Sequence, residues 1–77
     1  MSRLQYFVVN HDSRWKISFE GKHHGPYGTQ REAIRAAVDA AHESGKKGWN
    51  AQVLVQGVNN QFRTEWTYGQ DPYPPRG

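Results

Sequence analysis

Residues 29–45 read TQREAIRAAVDAAHESG, and this stretch predicts a helix. Thr29 followed three residues later by Glu32 is a capping box, in which the threonine hydroxyl accepts the amide of the third helical residue and the glutamate reaches back. Gly45 offers the left-handed conformation that ends many helices. The apolar residues recur at helical spacing and form one stripe, at Ile34, Ala37, Val38 and Ala41. We therefore expect a helix with a narrow, alanine-rich buried face.

The residues before this helix predict a β-hairpin over residues 4–20. Residues 4–9 are mostly β-forming, and residues 15–19 alternate between apolar and polar, which gives the second strand one buried and one wet face. The polar cluster at residues 10–13 is typical of a turn. Residues 21–28 hold three glycines and a proline, which predict a loop leading into the helix.

The residues after the helix predict a second hairpin over residues 51–68. Residues 51–56 alternate, with Ala51, Val53 and Val55 on one face. Asparagine tolerates positive φ, so the segment Val58–Gln61 favours a turn. In the last strand Phe62, Thr64, Trp66 and Tyr68 alternate with polar residues, and residues 69–77 contain three prolines that cannot donate to a ladder.

These elements predict one α+β domain that spans residues 1–77. Its parts are the hairpin 4–20, the helix 29–45, the hairpin 51–68 and an extended, Pro-rich C-terminal tail at 69–77. The order β-β-α-β-β predicts a four-stranded, mainly antiparallel sheet with the helix packed on one face.

Composition limits the function classes. The chain has 77 residues, no cysteine, 13% aromatic residues and a formal net charge of +3. The absence of cysteine excludes disulfides and favours a reducing, cytoplasmic location. Residues 1–10 lack the charged start and apolar run of a signal peptide, and no apolar run is long enough to span a bilayer. The basic balance is compatible with an acidic partner such as nucleic acid.

Several segments resemble a known bacterial family, domain of unknown function 2188. The resemblance lies in the aromatic-led valine strand Tyr6–Val9, the Trp15-Lys16-Ile17 strand start, the Thr29–Ile34 helix start, Gly57, and the closing run Tyr68–Gly77. Two turns depart from the family pattern, with Arg14 in place of a glycine and Val58-Asn59-Asn60 in place of a charged Asp-Gly. The resemblance implies the fold and a bacterial origin, and it implies no catalytic or binding residue.

The face of the sheet turned away from the helix is the main candidate site. If Trp15, Ile17 and Phe19 face the helix, Lys16, Ser18 and Glu20 face outward. An apolar strip bordered by polar residues is the composition of a contact surface. The candidate partner-binding residues are Phe7, Val9, Lys16, Gln52, Leu54 and Arg63, with Gln56 and Glu65 beside them.

Three readings of this face stay open. It binds nucleic acid by stacking on aromatic residues with basic support, or it pairs with another protein or another copy, or the C-terminal tail folds back over it with Tyr73 and the prolines. We expect a monomer or a weak homodimer, no membrane partner, no cofactor and no metal.

Enzymatic and metal-binding hypotheses have weak support. His11, His23, His24 and His42 lack the spacing of a metal site. The loop at residues 22–29 enters a helix N-terminus that suits an anion, but it lacks a phosphate-binding motif.

There is no cysteine nucleophile and no Ser-His-acid arrangement. Glu20 and Glu65 are expected to approach on one face, where carboxylates near Lys16 and Arg63 are more simply explained as solvated cross-strand pairs. We therefore predict a non-catalytic protein.

Overall fold

In a computed structural model of the protein, which describes residues 3–57 and 59–75, five strands and one helix follow the chain. In chain order they are β1 (Arg3–His11), β2 (Arg14–Phe19), β3 (Lys22–Tyr27), α1 (Gln30–Lys46), β4 (Asn50–Gln56) and β5 (Phe62–Thr67). The predicted turn residue Val58 and the predicted tail residues Arg76 and Gly77 lie outside the described residues.

The strands form a mixed sheet with the order β3-β2-β1-β4-β5. Its central pair, β1 and β4, is parallel, and the three other pairs are antiparallel. The predicted fold class is correct as α+β, with one helix among the described residues. The predicted four-stranded, mainly antiparallel sheet is wrong. Helix α1 returns the chain to the end of the sheet where β1 begins, so β4 starts beside β1, with Asn50 opposite Arg3, and runs the same way.

Strand β3 occupies residues that the sequence predicts as a loop. Glu20 and Gly21 join it to β2 and have φ angles of 50° and 79°, which is the geometry of a two-residue hairpin turn. Every β3 side chain except that of Tyr27 is exposed. An edge strand tolerates glycine and Pro26. Because β3 has no buried face, its sequence shows no alternation of apolar and polar residues.

The core lies between α1 and the sheet face formed mainly by β1 and β4. Its buried residues are Tyr6, Val8, Ile17, Ala33, Ala37, Val38, Ala41, Ala51, Val53, Val55 and Trp66. Small alanine side chains on the helix allow it to approach the sheet closely, and the larger sheet residues supply most of the buried apolar area. The Tyr6 hydroxyl reaches over this core to the Ser44 hydroxyl at 2.7 Å.

Both ends of α1 are capped. At the N-terminus the Thr29 hydroxyl oxygen accepts the amide of Glu32 at 3.1 Å, which confirms Thr29 as the N-cap. The Glu32 carboxylate reaches back to the Thr29 hydroxyl, which donates to it at 3.3 Å. At the C-terminus the amide of Trp49 donates to the Ser44 carbonyl and that of Gly48 to the Gly45 carbonyl. These two bonds form a Schellman motif, with Gly48 in the left-handed conformation at φ 99°.

Gly45 was predicted to end the helix, and this prediction is wrong. Gly45 is a buried residue inside α1, and a Cβ atom added there would overlap the ring of Tyr68. Glycine is needed at this position because an aromatic ring of the segment after β5 packs directly on the helix backbone. The left-handed role belongs to Gly48, three residues later.

We predict that Gly45→Ala destabilises the protein. Alanine normally stabilises a helix interior relative to glycine by about 0.5–1 kcal/mol. Here the added methyl overlaps the Tyr68 ring, and overpacking of this kind costs about 1–3 kcal/mol. Urea unfolding should therefore show a lower free energy of unfolding for the variant.

The matched control is the same substitution in a Tyr68→Ala background, where the ring is absent. There Gly45→Ala should raise the free energy of unfolding, because only the helix propensity remains. A rise of equal size in both backgrounds would contradict the close packing of Gly45 on Tyr68.

Candidate functional site

The sheet face directed away from α1, here called the open face, can be read from the strand registers. Phe7 lies opposite both Ser18 and Leu54, and directly opposed side chains share one face of a sheet. Alternation along each strand then assigns the others. The open face includes Arg3, Gln5, Phe7, Val9, His11, Arg14, Lys16, Ser18, His23, Gln52, Leu54, Gln56, Phe62, Thr64 and Thr67.

The centre of the open face is apolar. Phe7, Val9 and Leu54 are partly exposed and adjoin one another across β1 and β4, as the sequence predicts. Phe62 extends this group onto β5, where its ring meets that of Phe7 edge to face at a centroid distance of 5.3 Å. Phe62 keeps 42% of its surface exposed. The open face therefore presents two neighbouring aromatic rings.

A β-bulge in β5 explains why Arg63, predicted on the open face, lies on the other side, and why Phe62 lies on the open face. The register shifts between Val53, which lies opposite Trp66, and Leu54, which lies opposite Thr64. The extra residue reverses the alternation, so Trp66 faces the helix while Thr64 and Phe62 face away. Arg63, predicted on the open face, lies opposite the buried Val55 and pairs with Glu65 at 3.3 Å.

Polar and basic residues border the apolar centre. Lys16 lies opposite Val9, and Arg14 lies opposite His11. Gln52 lies beside Gln5. None of the described strand residues that the registers assign to this face is Asp or Glu, although the chain has seven of them. Glu65 is the extra residue of the β5 bulge and pairs with Arg63 at 3.3 Å. Asp12, in the turn after β1, pairs with His11 at 3.2 Å. The open face thus has a positive border around an apolar centre.

The described part of the C-terminal segment, residues 69–75, packs on the helix side of the sheet. The Trp66 indole donates to the Pro72 carbonyl at 2.9 Å. The Tyr73 ring stacks on His42 at 3.7 Å, and its hydroxyl donates to Asp39 at 2.8 Å. These partners all lie on α1 or face it, so this segment does not cover the open face through residue 75.

The other predicted sites do not come together. His23 and His24 lie opposite Ser18 and Ile17, so they point to opposite faces of the sheet. Glu20 lies in the turn between β2 and β3, at the far edge of the sheet from Glu65, so the expected approach of the two carboxylates is wrong. Within residues 3–57 and 59–75, no three His, Asp or Glu side chains form a group that could hold a metal.

The segment that the sequence suggests as an anion-binding loop is mostly a β-strand. Residues 22–27 pair with β2 as a strand, and the Thr29 hydroxyl already accepts the Glu32 amide. In the part of the chain that the structure describes, no helix has the length and apolar character needed to cross a membrane.

Comparison with known proteins gives a match to a protein family. The profile of a family described as "Uncharacterized protein conserved in bacteria (DUF2188)" matches residues 6–68, which confirms the resemblance stated above. No curated protein and no solved structure matches the chain.

We predict that Tyr73→Phe lowers the free energy of unfolding at neutral pH and that this difference from the wild type disappears at alkaline pH. The hydrogen bond to Asp39 raises the pKa of Tyr73 above its ordinary value of 10.0. A raised pKa in the folded state means that the bond stabilises the fold fully below pH 10.0 and is lost as pH rises through the folded-state pKa. Urea unfolding of both proteins across this pH range should show their difference disappearing at the alkaline end.

The control is the same substitution in an Asp39→Ala background. If the bond carries the effect, Tyr73→Phe should leave the free energy of unfolding unchanged at every pH in that background. The partner of the hydroxyl is then absent, and the effects of two coupled residues are not additive. An undiminished effect in that background would show that the Tyr73 hydroxyl does not act through Asp39.

Proposed function

We propose a binding function for this chain, which belongs to the bacterial family DUF2188, and we assign that function to the open face. The proposed ligand is single-stranded nucleic acid, and the protein acts as a non-catalytic binding module. The observation that carries the proposal is the combination, on one face, of two adjoining aromatic rings and a border of cations without carboxylates.

The cations of this face are available to a partner. Arg3, Arg14 and Lys16 form no ion pair among the described residues, whereas Arg35, Lys46 and Arg63 each pair with a carboxylate. An unpaired cation on a face without acids attracts phosphate and releases the counterions that surround nucleic acid. The charge of the open face is therefore complementary to a phosphate backbone.

The aromatic rings favour a single strand over a duplex. Phe62 is 42% exposed and its ring contacts that of Phe7 edge to face, so the ring has a packing partner while it still meets solvent. Bases in a single strand can be unstacked and laid on such a ring, and each such contact is worth about 1–3 kcal/mol.

Self-association through the open face is the competing function, and the apolar centre of Phe7, Val9, Leu54 and Phe62 favours it. Its difficulty is electrostatic. A twofold dimer joins the same patch on both copies, so the cations of one copy would meet a face that has no carboxylate at its described strand positions. Nucleic acid supplies the missing negative charge, and a second copy does not.

We predict that the protein binds short single-stranded DNA and RNA at low salt and that open-face variants weaken this binding. Fluorescence anisotropy with labelled oligonucleotides measures the affinity. Phe62→Ala should lose about 1–3 kcal/mol of binding free energy. Lys16→Gln should reduce the slope of log K against log salt by about 0.7, the value for one phosphate contact on a single strand.

Two matched controls lie on other surfaces. Tyr73 has the same 42% exposure as Phe62 but packs against α1, and Lys47 caps the end of α1. Tyr73→Ala and Lys47→Gln should therefore leave the affinity almost unchanged. Equal losses from the open-face and control variants would show that binding is diffuse and not located on the open face.

The absence of binding at low salt, where phosphate contacts are strongest, would remove nucleic acid as the ligand. Sedimentation at several concentrations then tests the competing function. A dimer that Leu54→Lys dissociates would assign the open face to self-association.

A further inference from the structure

The sheet has a cleft of about 680 Å³ at the end where β1 and β4 finish. Six of its lining residues carry side-chain amides, namely Asn10, Gln30, Gln56, Asn59, Asn60 and Gln61. Trp15 and Phe62 also line it. The carboxyl ends of adjacent parallel strands are a common place for ligand crevices in open α/β sheets, and in this protein β1 and β4 are such a pair.

The chemistry of this amide cleft is neutral and rich in both donors and acceptors. Its cation, Arg63, already pairs with Glu65 at 3.3 Å. Each amide has two donor hydrogens and two acceptor lone pairs, so the lining suits a ligand that is itself polar, uncharged and hydrogen-bonding on its edge. The aromatic ring of Phe62 suits a ligand that is planar. A nucleobase has both properties.

Gln56 is held in a fixed orientation at the centre of this lining. Its Oε1 accepts the backbone amide of Asn10 at 3.0 Å, and its Nε2 donates to Asn60 Oδ1 at 2.8 Å. These bonds leave one hydrogen on Nε2 and one lone pair on Oε1. Glutamine reads a base edge with one such donor and one such acceptor, and Gln56 retains both.

The amide cleft adjoins the open face. Phe62 belongs to both, since it lines the cleft and its ring meets Phe7 on the open face. A strand whose base stacks on Phe62 therefore has its neighbouring base within reach of Gln56. We propose, on the basis of the function proposed above, that the amide cleft holds one nucleobase of the bound strand and selects it by its hydrogen-bonding edge.

The test compares base preference, not affinity alone. Anisotropy titrations use single-stranded homopolymers of adenine, cytosine and thymine, together with an abasic oligomer of equal length. The wild-type protein should bind the best of the three homopolymers at least about tenfold more tightly than the worst, which is the size expected of one bidentate contact. It should bind the abasic oligomer more weakly than any of them.

Gln56→Leu should reduce the spread among the homopolymers to about twofold or less, because it removes the bidentate amide. Gln52→Leu is the matched control, since Gln52 lies on the same strand and on the open face, outside the lining of the cleft. It should preserve the ranking even if it weakens all three complexes.

Because Gln56 also binds the β1 backbone, a second variant, Gln61→Leu, tests the cleft through a side chain with no hydrogen bond among the described residues. It should also narrow the spread.

The outcomes separate this inference from the proposed function. Binding without base preference, equal binding of the abasic oligomer, or a ranking that survives both cleft variants would overturn the amide cleft as a base pocket and leave the open face as the binding surface. Failure of every oligonucleotide to bind at low salt would overturn the proposed function itself, and the base pocket with it.

Discussion

Helix α1 packs against β1 and β4 through alanine residues, and this close contact organises the molecule. Ala33, Ala37 and Ala41 are fully buried, so the helix backbone approaches the sheet with little side chain between them. Gly45 continues this contact at the C-terminal end, where the Tyr68 ring lies on the helix. A single helix of this width covers one face of the sheet, and the opposite face is left with side chains that meet solvent.

The sequence predicted the elements whose side chains have an inside and an outside. Thr29 and Glu32 mark the start of α1, and the alternation of β2 and β4 follows from their one buried face. Strand β3 could not be predicted in this way, because edge residues that are exposed on both sides carry no period. The end of α1 was misassigned for a different reason. Two glycines lie near it, and only the packing of Tyr68 distinguishes a glycine needed for space from one needed for positive φ.

The candidate site was partly predictable for a related physical reason. Phe7 and Leu54 belong to regular strands, so alternation alone places them together on the open face. In β5 one extra residue reverses the alternation, and no local sequence signal marks its position. This bulge brings Phe62 to the open face and moves Arg63 to the other side. It therefore adds an aromatic ring to the site and removes a cation from it.

The distribution of charge gives the open face a character that the net charge of +3 does not convey. Asp39 and Glu43 lie on the helix, Asp12 lies in a turn, and Glu65 is held by Arg63. Through residue 75, the C-terminal segment also stays on the helix side, where Tyr73 donates to Asp39. Apart from Asp12, which pairs with His11 at 3.2 Å, the acidic side chains named here and the C-terminal segment through residue 75 thus lie away from Lys16. A mild overall charge that is separated in this way produces a local positive field, and it is the local field, more than the total, that steers an acidic ligand to one surface.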